Sequence, residues 1–188
     1  MPQQELLATV LAALERLAIP YMVTGSLASS LQGEPRSTHD IDVVVEITLE
    51  QADLLVQEFP APEYHFDPGA TRTAIKRHGM FNLLDLESGD KVDFWPLTAD
   101  AFDLTRFSRR QRVETPELAL WVSAPEDTIL MKLRWAKLSG GSEKQFTDAL
   151  RVFEVQRSAV DMDYMNRWAA ILGVPDDLAR ILREAGPL

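Results

Sequence analysis

An α+β fold, in which a mixed twisted sheet is flanked by helices and followed by a helical C-terminal portion, is what this chain of 188 residues predicts. Two observations carry that expectation. Short β-branched runs alternating with period two, separated by Gly, Pro and Asp turn signals, are concentrated between residues 21 and 122, whereas helical periodicity dominates afterwards. Strands gathered first and helices later argue for α+β rather than a repeating βα unit. The expected division is a mixed αβ core over 1–122 and a helical portion over 123–188.

Leu6, Leu7, Val10, Leu11, Leu14 and Leu17 fall on one stripe of an opening amphipathic helix, with Glu5 and Glu15 interspersed and no basic leader. Tyr21, Met22 and Val23 read as a short buried strand, and Gly25 permits a tight turn where a side chain would keep an anion from the backbone. Ser26 then opens a helix whose first amides lack internal partners and carry the positive end of the dipole. In the next strand Ile41, Val43 and Val45 alternate with Asp40, Asp42 and Val44, so both carboxylates project from one face while the β-branched residues bury on the other.

Thr48-Leu49-Glu50-Gln51 is a capping-box pattern, placing a helix through about Phe59. Pro60, Pro62, Pro68 and Gly69 mark a loop before a helix carrying Arg72, Lys76 and Arg77. Asn82–Leu86 and Lys91–Leu97 are strand-like runs around Ser88-Gly89-Asp90, the pattern of an antiparallel hairpin. Within the second run Val92 and Phe94 face one way and Asp93 the other. Val113–Val122, interrupted by Pro116, reads as one or two short strands. Ser123-Ala124-Pro125-Glu126 is a second capping pattern, with Glu126 and Asp127 suited to the positive end of a helix running to Leu138. Further helices fill the remainder.

Chemistry is concentrated in Tyr21–Glu46. A Gly-Ser turn at a helix start suits phosphate, and two carboxylates one residue apart on a strand face suit Mg²⁺, which takes a few carboxylates plus phosphate oxygens. If the Asp93 strand lies beside the Asp40 strand, the three aspartates gather around one or two ions. Such an arrangement can activate an attacking oxygen and neutralise leaving pyrophosphate. Two Mg²⁺ ions are expected, Mn²⁺ being the alternative, with a nucleoside triphosphate as their partner. Lys132, on the helix after Pro125, is placed to neutralise triphosphate charge, with Arg134, Lys137 and Lys144 as rivals. Arg36 either contacts phosphate or pins its loop, and Thr38 is read as a turn residue. His39 is not read as a ligand, since Mg²⁺ favours oxygen, and His65 and His78 have no local partners that suggest acid–base work. Trp95, Trp121, Trp135 and Trp168 are assigned to core or subunit contacts.

Thr24-Gly25-Ser26, thirteen intervening residues and Asp40-Ile41-Asp42-Val43 resemble the DNA polymerase beta-like nucleotidyltransferase superfamily. RSTHDIDVVVE, KVDFWPLT and SAPEDTILMKLRWAK are more closely similar to small prokaryotic nucleotidyltransferases related to the abortive-infection toxins of AbiEii type. The resemblance spans roughly residues 20 to 156. It implies a polymerase beta palm-like fold and transfer of a nucleoside monophosphate from an NTP to a hydroxyl acceptor, RNA or protein in toxin-like members. It implies Asp40, Asp42 and Asp93 as the catalytic metal ligands, and Gly25, Ser26, Arg36, Lys132 and Asp148 as nucleotide-binding residues. Asp148 enters by this resemblance alone, as the aspartate on the helix after Lys132. The alternatives are transfer to a small molecule such as an aminoglycoside, or a catalytically idle NTP-binding or interaction module. A cognate antitoxin or a second copy of the chain is the expected protein partner.

Composition sets the remaining bounds. With 46% hydrophobic residues the chain can bury one sizeable core, and the absence of cysteine excludes disulfides and thiolate zinc sites. No apolar run reaches the ~18 residues of a membrane span, so a cytoplasmic location is expected. The net charge of −10 opposes indiscriminate nucleic-acid binding. Against that stands the local cluster Arg106, Arg109, Arg110 and Arg112, read either as a solvated helix end or as contact with a polyanion.

Overall fold

The computed structural model of the protein describes residues 2–35, 40–116 and 118–186. The chain divides into two compact units: Met1–Thr24 with Thr38–Val122, and Gly25–Ser37 with Ser123–Leu188. One edge of this division falls between Val122 and Ser123. The short stretch after the first strand, however, groups with the C-terminal helices rather than with the sheet.

The first unit is built on a seven-stranded mixed sheet. Its strands are β1 (Tyr21–Thr24), β2 (Asp40–Val45), β3 (Tyr64–His65), β4 (Phe81–Asp85), β5 (Lys91–Pro96), β6 (Gln111–Glu114) and β7 (Ala119–Val122). Their order across the sheet is β3-β4-β5-β2-β1-β7-β6. β1 runs antiparallel to β2, β2 parallel to β5, and β4 antiparallel to β5, as the Ser88-Gly89-Asp90 turn predicted. The helices of this unit are α1 (Pro2–Arg16), α3 (Leu49–Gln57), α4 (Pro68–Arg77) and α5 (Ala101–Ser108).

Alternation along the strands gives the sheet two chemically different faces. One carries Val23, Ile41, Val43, Val45, Leu83, Val92, Phe94 and Val122, all buried. Phe66 stacks there on Phe81 and Phe94 at 6.1 and 5.9 Å between centroids, and the Tyr21 hydroxyl donates to Glu15 of α1 at 3.3 Å. The other face is apolar only at one end, where Met22 and Val44 pack with Phe107 of α5, Trp95 and Leu97. At its other end stand Asp40, Asp42, Lys91 and Asp93.

Local signals account for most boundaries in this unit. Thr48 and Gln51 form the expected capping box on α3, and Asp67 caps α4 by accepting from the Ala70 amide, with Pro68 at the first helical position. Two elements were not legible in the sequence. β3 lies inside the Pro-rich stretch read as a loop, and α5 occupies a segment read only through its arginines. Both are short; β3 is formed by pairing with β4, and Asp100 caps α5 through the Phe102 and Asp103 amides.

The second unit contains α2 (Gly25–Gln32), α6 (Pro125–Leu138), α7 (Glu143–Gln156), α8 (Met162–Leu172) and α9 (Pro175–Glu184). Its core is formed by Ala28, Ile129, Leu130, Leu133, Phe146, Ala149, Val152, Phe153, Met165 and Ile181. α2 is tied in by the Gln32 amide, which donates to the Ser123 carbonyl, and by Gln156, which donates to the Gln32 carbonyl at 2.9 Å. Gly33 allows the close approach to α7: a Cβ there would meet the Val152 nitrogen at 3.0 Å and the Arg151 carbonyl carbon at 3.1 Å.

The expected cap at Ser123 is corrected. Ala124 is the N-cap residue and makes no side-chain cap, while the Ser123 hydroxyl is buried and donates to the Ala124 carbonyl. Pro125 at the first helical position replaces the missing cap by removing a donor that would need one. Glu126 and Asp127 sit in the first turn as expected but face inward. Glu126 accepts from the Asp161 amide at 3.0 Å and Asp127 from the Tyr164 hydroxyl at 2.5 Å, which joins α6 to α8.

Candidate active site

Two groups of polar side chains stand out, one in each compact unit. In the sheet unit, β2 and β5 lie side by side with Asp42 opposite Asp93 and Asp40 opposite Lys91. Residues opposite one another on paired strands share a face, so all four side chains emerge together. Asp93 therefore lies on the same sheet face as Asp40 and Asp42, the strand placement on which their expected grouping depended.

The three carboxylates differ in environment. The Asp40 side chain is 65% exposed, Asp42 is intermediate, and Asp93 is only 10% exposed. Asp42 accepts a hydrogen bond from the Trp95 indole at 3.2 Å. Asp93 Oδ2 is held by the Lys91 ammonium at 2.8 Å, and the same ammonium lies 3.8 Å from Asp40. That hydrogen bond to Asp93, with the nearby charges of Asp40 and Asp42, holds the Lys91 pKa above the ordinary lysine range. Asp93 Oδ1 is buried and has no hydrogen-bond partner.

Among the described residues no group of three or more His, Asp or Glu side chains is drawn together as a ready-made ion cage. The donor set nonetheless suits a hard divalent cation: carboxylate oxygens on two registered strands, one of them buried with its lone pairs unused. Lys91 and Trp95 are functional candidates that sequence reasoning missed. The signal was present in Lys91-Val92-Asp93-Phe94-Trp95, where period-two spacing puts Lys, Asp and Trp on one face.

In the helical unit, Gly25 has φ of +66°, a conformation that a residue with a Cβ adopts only with strain. The turn it makes starts α2, with Ser26 in the first helical turn. Lys132 on α6 is 4% exposed and Asp148 on α7 is 8% exposed. The Lys132 ammonium donates to Asp148 Oδ2 at 2.8 Å and to Ser26 Oγ at 3.3 Å. Three of the expected nucleotide-binding residues, distant in sequence, thus meet through one ammonium. Of the rival cations, Lys137 is committed elsewhere, donating to the Gly173 carbonyl.

Other expectations fare differently. Arg36, Thr38 and His39 lie outside the described residues. The arginine cluster is neither a solvated helix end nor a free anion surface throughout. Arg106 is buried and paired with Asp103 at 2.9 Å. Arg110 lies over the Phe107 and Trp121 rings at 4.3 and 5.2 Å, and donates to the Phe107 carbonyl. Arg72 is paired with Asp53. No helix among the described residues is long and apolar enough to cross a membrane.

The sequence profile of the aminoglycoside-2''-adenylyltransferase family matches residues 6–86, a stretch that includes Gly25, Ser26, Asp40 and Asp42. No curated protein sequence resembles the chain closely enough to count as a relative. Among solved structures, an antigenic nucleotidyltransferase-like protein from Paracoccidioides brasiliensis is similar over 100% of this chain and 95% of its own, with TM-score 0.58 and 17% identity. ANT(2'')-Ia, solved in complex with adenylyl-2''-tobramycin, is similar over 92% of this chain and 97% of its own, with TM-score 0.55 and 13% identity. The Helicobacter pylori protein JHP933 is similar over 95% and 76%, with TM-score 0.52 and 13% identity. The fold is that of the nucleotidyltransferases.

Proposed function

We propose that this protein is a nucleotidyltransferase that moves a nucleoside monophosphate from an NTP to a hydroxyl acceptor and releases pyrophosphate. The observation that carries the reading is the registered pair Asp42 and Asp93, with Asp40 on the same face, within a nucleotidyltransferase fold. Asp40, Asp42 and Asp93 would hold divalent cations, Mg²⁺ first. When bound, such ions neutralise charge on the transferring phosphoryl group and polarise it toward attack.

The chain's own residues carry the remaining roles. Gly25 brings the backbone close to phosphate, and Ser26 and the first amides of α2 donate to it. Lys132 supplies a cation whose position Asp148 fixes. Trp95 orients Asp42 through its indole N–H. The acceptor oxygen forms a bond to the α-phosphorus as the bond to the pyrophosphate oxygen breaks, and Asp93 Oδ1, unpartnered and buried, takes the hydroxyl proton. The protein's contribution is positioning and charge placement rather than a covalent intermediate.

For the acceptor, the family profile over residues 6–86 favours the small-molecule reading, a cationic polyol of aminoglycoside type. A chain with net charge −10 attracts such a polycation and repels RNA. The toxin-like reading, with RNA or protein as acceptor, rests on the local sequence resemblance alone. The test is incubation with each α-³²P-labelled NTP and Mg²⁺, with an aminoglycoside panel, total RNA and total protein offered separately. Label on an aminoglycoside, absent with Asp42→Asn, supports the proposal. Label on RNA or protein would return the acceptor to the toxin-like class. No label on any acceptor, with NTP binding intact, would favour an idle module.

A further inference from the structure

We infer that Lys91 is a built-in counter-cation of the aspartate site, one that a divalent ion must displace, so that this lysine sets the metal concentration at which the site fills. The inference rests on the reading of Asp40, Asp42 and Asp93 as metal ligands. It adds a residue that the nucleotidyltransferase motif leaves unassigned.

The geometry is specific. One ammonium lies 2.8 Å from Asp93 Oδ2 and 3.8 Å from Asp40 Oδ1, bridging carboxylates on two strands. Three carboxylates on one end of a sheet face repel one another, and a cation placed among them offsets part of that repulsion. Mg²⁺ binds carboxylate oxygen at about 2.0–2.1 Å and prefers an octahedral shell. An ammonium hydrogen-bonded to the same oxygen occupies that space and adds like charge.

Mobility divides unevenly between the partners. Asp93 is 10% exposed and sits mid-strand, so its carboxylate has little freedom. The Lys91 side chain is 35% exposed on a four-carbon stem, so its ammonium can turn toward water. Lys91 engages Oδ2, the oxygen an incoming ion must share or take, while Oδ1 is buried. Displacement therefore requires rotation of one lysine rather than rearrangement of the sheet.

The experiment is a Mn²⁺ titration of the full chain, with free Mn²⁺ followed by electron paramagnetic resonance. It compares the wild type with Lys91→Gln, Lys91→Met, Lys91→Arg and Asp42→Asn. Glutamine can still donate to Asp93 without charge, so the fold is retained; methionine is a second neutral variant. Both neutral variants are expected to bind Mn²⁺ about tenfold more tightly, as for loss of one partly screened charge contact. Lys91→Arg should stay near the wild type, and Asp42→Asn should weaken binding. Thermal melts give a second readout: Mn²⁺ should raise the Tm of Lys91→Gln more than that of the wild type. Unchanged or weaker Mn²⁺ binding by both neutral variants, with the wild type binding normally, would overturn the inference and leave the metal reading standing. Absence of Mn²⁺ binding in the wild type and all variants would overturn both.

Discussion

Replacing Lys132 by methionine tests the helical unit most directly, because the substitution keeps the volume and removes only the charge. Lys132 and Asp148 are 4% and 8% exposed, and their ion pair spans 2.8 Å. Removing the ammonium takes the Lys132 partner from the buried Asp148 carboxylate, and deleting one partner of a buried pair costs about 3–5 kcal/mol. With a urea slope of about 1–3 kcal/mol per molar for small proteins, the unfolding midpoint should fall by more than ~1 M. The double variant Lys132→Met/Asp148→Leu removes both charges and should recover most of that loss, since well-packed apolar replacements of buried pairs are often neutral. Urea unfolding followed by tryptophan fluorescence reads both numbers, with Trp135 and Trp168 in this unit as reporters. Calorimetry with NTP then separates stability from function: the double variant should be folded yet bind NTP at least about tenfold more weakly, having lost a phosphate-neutralising cation. A single variant that loses less than ~1 kcal/mol, or a double variant no more stable than the single one, would refute the buried-pair argument.

Asp42→Asn should lower nucleotidyl transfer by at least about a hundredfold while circular dichroism stays unchanged, and retained transfer would sink the metal assignment. Gly25→Ala should destabilise the chain by about 1–2 kcal/mol, because alanine is strained at φ +66°, and should weaken NTP binding as well; an unaffected melt would show that the turn can relax. Burial, with Glu15 second, pushes the Tyr21 phenol pKa up to about 12. The folded state then keeps its proton where the unfolded chain gives it up. This contribution is intact below pH ~10, the ordinary tyrosine value, and is lost as pH rises from there through 12, costing of order 2–3 kcal/mol. Tyr21→Phe should flatten that limb of the stability profile, and identical profiles for variant and wild type would refute the cause.

Particular residues show where the sequence was informative. The Asp-x-Asp strand, the hairpin at Ser88-Gly89-Asp90 and the capping box at Thr48 were legible because each is a local rule: strand alternation, turn chemistry or a cap three residues long. α6 matched its expected limits, Pro125 to Leu138, since proline opens it and the apolar stripe persists to its end. Ser123 misled for the complementary reason. A Ser-x-x-Glu pattern names candidates for a cap, but burial of that hydroxyl and the inward use of Glu126 are set by α8, which the local pattern does not contain.

The order of strand and helix patterns along the chain determined the class of fold, and spacing alone determined the two carboxylates on one strand face and the glycine turn, which depend on residues within a few positions of one another. Three things were decided only by the tertiary structure: that β5 lies parallel to β2 with Asp93 opposite Asp42, that one ammonium joins Ser26 to Asp148, and that Lys91 bridges Asp93 and Asp40. Each couples residues separated by tens of positions. Strand order, register and helix packing are fixed by burial of the whole apolar face, a sum over the chain to which no single motif holds the answer.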